Sequence, residues 1–499
     1  MTSAEPAVRC GAAVRTHSAI RGRAARLASA LSALGIGHGD RYAIVMRNSI
    51  EFLEASLAGS GIGAIPVPVN SHWTGDDLAH LLTDSGSKLV IVDSDLVSVV
   101  EAVLPPGMTV VEVGGSTGGK YPDFESLIAT SEPIGAQVLD PPLGVIYTSG
   151  TTGKPKGILR QPMTTGQAGQ VAAVMMTMLA ANPSMSTLIP APLYHTAPNA
   201  HAVFAIALGM NLEIMPRFDP EEFLRLVQDQ KIQHTQMVPT MFVRLLKLPA
   251  DIRGKYDISS LASVVHAAAP CPVTVKREMI DWFGPIISEF YGGSETGGAV
   301  ICNSEQWLEH PGTVGHPIAD TVVKILDPVS LQELPTGESG DIYIKPFSSW
   351  PEFTYIGNDA KRREMEHDGL ITVGDIGYID DDGYLFLNDR RNDLINSGGV
   401  NIYPAEIEGC LVGHESIADA AVFGIPDEEF GEAIAAHIEL SPGASLSVED
   451  VKDFVRAHLA GYKVPKVIVF EDKLPREDTG KLFKRKLKEP YWNEQLSSR

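Results

Sequence analysis

The 499-residue chain has 44% hydrophobic and 20% charged residues, the balance of a globular enzyme, and its length calls for two or more domains. Its net charge of −22 argues against general binding to nucleic acid or to an anionic membrane. The four cysteines, Cys10, Cys271, Cys302 and Cys410, are scattered; they suggest neither a disulfide framework nor a metal site, and a reducing compartment is the default.

The N-terminus, Met1-Thr2-Ser3-Ala4-Glu5-Pro6, has no apolar signal core. No apolar run reaches the length of a membrane span, so a cytoplasmic protein without a transmembrane segment is expected. Residues 18–35 read as an amphipathic helix, with Ile20, Ala24, Leu27, Leu31 and Leu34 on one face. With only a short lead-in before this helix, a homodimer contact on a surface exposed there is one expectation. Strands at 41–46, 61–69 and 88–92 alternate with helices at 49–60 and 76–83, the pattern of a largely parallel α/β sheet. Residues 107–133 are poorly patterned and read as a connecting region.

A buried strand, Leu143-Gly144-Val145-Ile146, runs into Tyr147-Thr148-Ser149-Gly150-Thr151-Thr152-Gly153-Lys154-Pro155-Lys156-Gly157. Three glycines, four hydroxyls and two lysines suit a loop that wraps an anion, and polyphosphate is the natural guest. It is not a Walker A loop, because Thr148 stands at the first glycine position and Pro155 follows Lys154. A second α/β repeat follows. Residues 166–181, 220–230 and 241–248 read as helices, and 187–196, 262–270 and 286–291 as strands running into turns. From Gly312 the texture is strand-rich, predicting a β subdomain. After the charged stretch 389–393 comes a compact unit with helices at 404–412 and 447–459 and strands at 419–425, 433–440 and 466–471. Residues 461–488 hold nine Lys/Arg against four Asp/Glu, a patch for a phosphate-bearing ligand or a solvated tail.

The Thr148–Gly157 loop resembles the signature of the adenylate-forming superfamily: acyl-CoA synthetases, peptide-synthetase adenylation domains and luciferases. Five more stretches match in order: Pro192-Leu193-Tyr194-His195-Thr196; Ala267-Ala268-Ala269-Pro270; Tyr291-Gly292-Gly293-Ser294-Glu295-Thr296; Thr372-Val373-Gly374-Asp375 with the long Asp389-to-Glu408 segment; and Leu474-Pro475-Arg476-Glu477-Asp478-Thr479-Gly480-Lys481. The resemblance implies a large N-terminal domain (1–389) of two α/β repeats plus a β subdomain. It also implies a hinge (390–393, pivoting at Asn392) and a small mobile C-terminal α+β domain (394–499).

The resemblance also implies roles. Thr148, Ser149, Gly150, Thr151, Thr152 and Lys156 would grip the β- and γ-phosphates of ATP. Tyr291, Gly292 and Ser294 would line the adenine and phosphate site, Asp375 and Arg390 would hold the ribose, and Glu295 would ligate Mg²⁺. Lys481 would be the catalytic lysine, bridging the acid carboxylate and the α-phosphate. His195 would position the carboxylate; with Met237, Ala267, Ala268 and Gly292 it would line the acyl pocket. Gly398 and Gly399 would edge the CoA channel.

Three departures from the family pattern stand out. Alanine fills Ala267 or Ala268 where many members have glycine, which narrows the pocket. Ser294 replaces threonine with the hydroxyl kept. Asn392 replaces the usual Asp or Lys of the hinge.

The expected activity is an ATP-dependent carboxylate:CoA ligase, with ATP, Mg²⁺ and CoA as co-substrates, acting through an acyl-adenylate on a hydrophobic fatty or bulky alicyclic acid. No carrier domain follows Arg499, which favours CoA as the thiol. Aryl acids such as hydroxycinnamates, and a separate carrier protein as acceptor, are the rival readings within this class. A nucleotide-binding regulatory protein with a relict site is the rival outside it.

Overall fold

The computed structural model describes residues 5–115, 118–135, 144–148, 155–476 and 482–497. The N-terminal part is built on two sheets. The first is wholly parallel, in the order Ile65–Pro68, Arg41–Val45, Leu89–Asp93, Thr109–Val113. Its strands are buried apolar runs because helices cover both faces. Helices His17–Ala33 and Ile50–Ala58 pack on one side through Ile20, Leu27, Leu31, Phe52 and Leu53, and helix Gly75–Asp84 packs on the other through Leu78, Leu81 and Leu82. Helix starts are where short polar side chains predict them: Ser49 accepts from Phe52 N–H and Asp219 from Glu222 N–H.

The second sheet is larger and mixed. Parallel strands Asn211–Ile214, Ser186–Ile189, His234–Met237, Ser263–His266 and Ile287–Gly293 form one half. At Gly293 the sheet changes character, because Gly297–Cys302 returns antiparallel, followed by Thr313–Pro317 and Leu385–Arg390. The expected β subdomain is thus continuous with the second α/β repeat, and the Tyr291–Thr296 motif sits at the switch between the two halves. A small third sheet pairs Ile146–Thr148, Lys156–Arg160 and Phe353–Tyr355.

Three stretches differ from the sequence reading. Residues 107–133 hold strand Thr109–Val113 and helix Phe124–Thr130 rather than a bare connection. Residues 187–196, read as one strand running into a turn, divide into strand Ser186–Ile189 and the lead-in to helix Thr196–Leu208. The lead-in forms a hairpin, Ala7–Cys10 with Ala13–Thr16, whose first strand adds in parallel to the edge strand Asn211–Ile214.

The C-terminal part has its own sheet and its own core, in which Ile395, Ile402, Ile407, Leu411, Val422, Ile438 and Val451 are buried together. Among the described residues, no helix is long and apolar enough to cross a membrane, and all four cysteines are free.

Candidate active site

The phosphate-loop candidate is the connection of a hairpin. Tyr147 pairs with Gly157 and Thr148 with Lys156, so the two ends of the loop face each other; Ser149, Gly150, Thr151 and Thr152 lie outside the described residues. Gly157 is required here, since a Cβ would come within 2.7 Å of the Tyr147 ring. The Tyr147 phenol donates to Asp84 Oδ2 at 2.6 Å, and a His80 ring nitrogen lies 2.9 Å from the Pro155 carbonyl oxygen. Both contacts moor the hairpin to helix Gly75–Asp84. Lys156 Nζ lies 5.7 Å from the centre of the Tyr355 ring, a cation–π distance. The Tyr355 phenol in turn donates to Glu295 Oε1 at 2.8 Å. The loop lysine and the metal-ligand candidate are therefore joined through one tyrosine.

The Tyr291–Thr296 turn is held rigidly. A Cβ on Gly292 would lie 1.8 Å from the Gly297 carbonyl oxygen, so only glycine fits. Thr296 Oγ1 accepts from Gly293 N–H at 2.8 Å. Buried Arg160 donates to the Ser294 carbonyl, with its guanidinium 5.3 Å from the Trp350 ring. Trp350 Nε1–H donates to the Glu295 carbonyl at 3.3 Å. Burial pulls Arg160 down to about 10, with Glu295 opposing the shift, so it remains a cation at neutral pH. Ser294 Oγ lies 3.4 Å from Thr196 Oγ1, which places the turn against the start of the helix that His195 leads.

On the other side of the turn, Tyr291 O–H donates to Asp375 Oδ2 at 2.7 Å and Arg390 Nε lies 3.2 Å from Asp375 Oδ1. Antiparallel register sets Asp375 opposite Arg390. Burial, reinforced by Asp375, holds the Tyr291 phenol well above its usual range, so it stays a donor. The two ribose candidates and the adenine candidate thus form one cluster.

At the acyl-pocket candidates, His195 is the residue before helix Thr196–Leu208, its ring 4.5 Å from that of Tyr194. Ala267 is buried and Ala268 is exposed with a φ of +76°, a left-handed conformation that an L-residue adopts at a cost. Met237 packs into the core with Phe223, Leu224, Phe242 and Met279, on the sheet face away from helix Thr196–Leu208. Its neighbour Gln236 takes the face toward that helix, because strand side chains alternate.

In the C-terminal part, Gly398 and Gly399 join strands Ile395–Ser397 and Val400–Ile402 with φ of +58° and +83°. That is a two-residue hairpin needing positive φ at both positions. Gly398 N–H donates to the Phe430 carbonyl at 2.8 Å. The 390–394 segment is a turn: Asp393 N–H and Leu394 N–H both donate to the Arg390 carbonyl, and Arg391 N–H to the Gly374 carbonyl. Arg391 also pairs with Asp341. Lys481 lies outside the described residues.

Residues 2–348 match the family model for AMP-binding enzymes, and residues 406–481 match that for the AMP-binding enzyme C-terminal domain. The chain belongs to the AMP-binding enzyme family. It is 31% identical over 484 residues to the long-chain-fatty-acid–CoA ligase FadD13 of Mycobacterium tuberculosis, covering 95% of this chain and 93% of the relative. It is 32% identical to a feruloyl-CoA synthase of Amycolatopsis, covering 96% and 94%. Among solved structures, o-succinylbenzoate CoA synthetase (MenE) from Bacillus subtilis, in complex with the acyl-adenylate intermediate OSB-AMP, superimposes with a TM-score of 0.83. That match is at 26% identity, with 98% of this chain and 96% of the other covered. The protein is accordingly an AMP-forming acid–thiol ligase of the adenylate-forming superfamily.

In this AMP-binding enzyme, sequence reasoning missed Arg160, Thr196, Trp350 and Tyr355. Arg160 carries the one available signal, a cation following the apolar pair Ile158-Leu159 at the end of strand Lys-Gly-Ile-Leu-Arg. Tyr355 ends strand Phe353–Tyr355, almost 200 residues downstream of the loop, and Trp350 lies in the bend before it; their role is set by pairing that no local pattern announces.

Proposed function

We propose that this ligase activates a hydrophobic carboxylic acid as its adenylate and passes the acyl group to the thiol of CoA. The observation that carries the reading is the convergence on one turn. Lys156 reaches Glu295 through Tyr355, while Asp375 and Arg390 reach Tyr291. Phosphate-gripping, metal-ligating and ribose-holding candidates therefore share the six-residue span Tyr291–Thr296.

The chemistry follows from what a carboxylate lacks. It is a poor electrophile, and attack on the α-phosphate of ATP converts it to a mixed anhydride with pyrophosphate as leaving group. Negative charge accumulates on crowded oxygens, so fixed cations and donors stabilise the transition state. Thr148, Lys156 and the loop between them grip the leaving phosphates. Arg160, bonded to the Ser294 carbonyl, keeps the turn in register. Glu295 fits a hard cation: its Oε1 is oriented by the Tyr355 phenol, and a carboxylate is the ligand type Mg²⁺ selects. Mg²⁺ bound there would neutralise polyphosphate charge. Lys481 bridges the carboxylate and the α-phosphate, holding both for in-line attack. The second half-reaction needs no lysine but needs a path for the pantetheine arm. Rotation about Asn392 would exchange Lys481 for the Gly398-Gly399 hairpin, building two sites in turn.

ATP–pyrophosphate exchange across a panel of acids, followed by thioester detection with CoA, tests this reading. Acid-dependent exchange and an acyl-CoA product are expected. Exchange with a thioester formed only on a carrier protein overturns the acceptor, and ATP binding without acid-dependent exchange overturns the activity.

A further inference from the structure

Where the chain crosses from the large part to the C-terminal part, Asp389, Arg390 and Arg391 are pinned to the large part. Asp389 and Arg390 end strand Leu385–Arg390, which pairs with Asp375–Ile379. Arg390 Nε lies 3.2 Å from Asp375 Oδ1, and Arg391 N–H donates to the Gly374 carbonyl at 2.8 Å. Beyond Asn392 the contacts change sides. Ala405 and Glu408 stand on helix Pro404–Val412, which enters the C-terminal core through Ile407 and Leu411. Glu408 Oε1 accepts from Val422 N–H at 2.7 Å, so this carboxylate belongs to the C-terminal part.

Asp389 joins the two sides. Its Oδ2 accepts from Ala405 N–H at 2.9 Å, one of the helix-start donors that have no partner within the helix. Lys484, the first residue of helix Lys484–Ser497, has its Nζ 2.9 Å from Glu408 Oε1, and the two side chains are only 14% and 19% exposed. Burial pulls the Lys484 ammonium down, yet Glu408, Asp389 and Asp393 together hold it above its usual range. A single lysine of the C-terminal part therefore faces carboxylates on both sides of Asn392, and a lysine is rarely so enclosed unless it is paired. Burial pushes the Asp389 carboxyl up to about 6, so at neutral pH its charge lowers stability. A charge kept although it lowers stability calls for a functional reason. The orientation that this cluster holds is not the one proposed for thioester formation. Gly398, Gly399, Val400 and Asn401 are all exposed, so the hairpin assigned to the pantetheine path faces solvent here. Rotation about Asn392 would carry Ala405, Glu408 and Lys484 away from Asp389, which stays with its strand.

We infer that Lys484 is a positioning residue for adenylation: clasped between Asp389 and Glu408 across the pivot, it holds the C-terminal part, which carries Lys481, in the orientation of the first half-reaction, and its release from Asp389 frees that part to rotate. This rests on the adenylation reading and its two alternating orientations. The test measures the two half-reactions separately in the full-length enzyme: acid-dependent ATP–pyrophosphate exchange, and thioester formation from supplied acyl-adenylate and CoA. Asp389→Asn keeps an acceptor for Ala405 N–H but removes the charge that faces Lys484. It is expected to slow exchange by about tenfold, the population shift that one charge-assisted bond supports, with thioester formation at or above the parent's rate. Lys484→Met is expected to act in the same direction, and Lys484→Arg, which keeps the charge, to stay within about threefold of the parent in both assays. For Asp389→Asn, which decides the matter even where Lys484→Met does not fold, an equal loss in both half-reactions marks a merely structural role and overturns the inference. Exchange at the parent's rate, or a selective loss of thioester formation, overturns it as well. Absence of exchange by the parent with every acid of a broad panel overturns the adenylation reading itself, which keeps the two failures apart.

Discussion

Ala268 is the residue where chemistry and backbone disagree. Its φ of +76° suits glycine, yet the chain keeps a methyl group at an exposed position of the turn that follows strand Ser263–His266. Ala268→Gly is expected to stabilise the protein by about 0.5–1 kcal/mol, the relieved left-handed strain less the extra freedom gained by the unfolded chain. The midpoint of urea denaturation checks this; a fall in midpoint contradicts it. At Asp375 the argument runs through charge. Both of its oxygens are engaged, by Tyr291 and Arg390, and the carboxylate is the acceptor proposed for the ribose hydroxyls. Asp375→Asn is expected to lower kcat/KM for ATP by roughly 10- to 100-fold, from the loss of charge-assisted bonds. Equal KM for ATP in variant and parent would remove Asp375 from the nucleotide site. Residues such as these were legible because their motifs are local in sequence. Met237 was not: periodicity marks it as buried without saying which sheet face it takes, and register turns Gln236, not Met237, toward the helix behind His195.

At the scale of elements, the junction between the two parts of the chain is a charge cluster. Asp389 Oδ2 accepts from Ala405 N–H at 2.9 Å, and Lys484 pairs with Glu408 at 2.9 Å beside it. Burial pushes the Asp389 carboxyl up to about 6, with Lys484 opposing. A folded-state value above the unfolded one means that the folded chain holds this proton more tightly. Stability from this group is therefore full below about pH 4 and is lost as pH rises through about 6. Asp389→Asn is expected to gain in melting temperature relative to the parent at pH 7 and to lose that gain at pH 4. A pH-independent difference would show that Asp389 does not titrate in this window.

Short elements were the ones that the sequence hid. Helix Phe124–Thr130 is two turns long, too short for a 3.6-residue period to stand out. Strand Thr109–Val113 is set apart by glycines on one side and Pro105-Pro106-Gly107 on the other. The long parallel strands, by contrast, announce themselves as continuous apolar runs.

At the scale of the whole molecule, the C-terminal part rests on the large one through Lys247, whose Nζ donates to the Ile417 carbonyl at 2.6 Å. Asp419 and Glu439 lie near enough to oppose the downward pull of burial on this lysine. Lys247→Ala is expected to loosen this seat and to speed proteolytic cleavage in the 390–394 turn by about tenfold, the loss of one charge-assisted hydrogen bond. Unchanged cleavage would mean that the seat is held elsewhere. The basic stretch 461–488 has a plainer use than its composition allowed, because Lys463, Lys466, Arg476, Lys484 and Arg485 are each paired with a carboxylate. Most of its charge knits the C-terminal part together. Overall architecture was legible in the order of motifs; the continuity of the β subdomain with the second repeat was not, since strand order in a mixed sheet is a matter of non-local pairing.

The central claim is that one chain builds two sites in turn, with Lys481 serving only the first. The direct measurement is Lys481→Ala assayed separately for acid-dependent pyrophosphate exchange and for thioester formation from supplied acyl-adenylate and CoA. Exchange is expected to fall by about 10³-fold, the scale of a lost transition-state cation, while thioester formation stays within about threefold of the parent. Equal loss of both half-reactions would contradict the account.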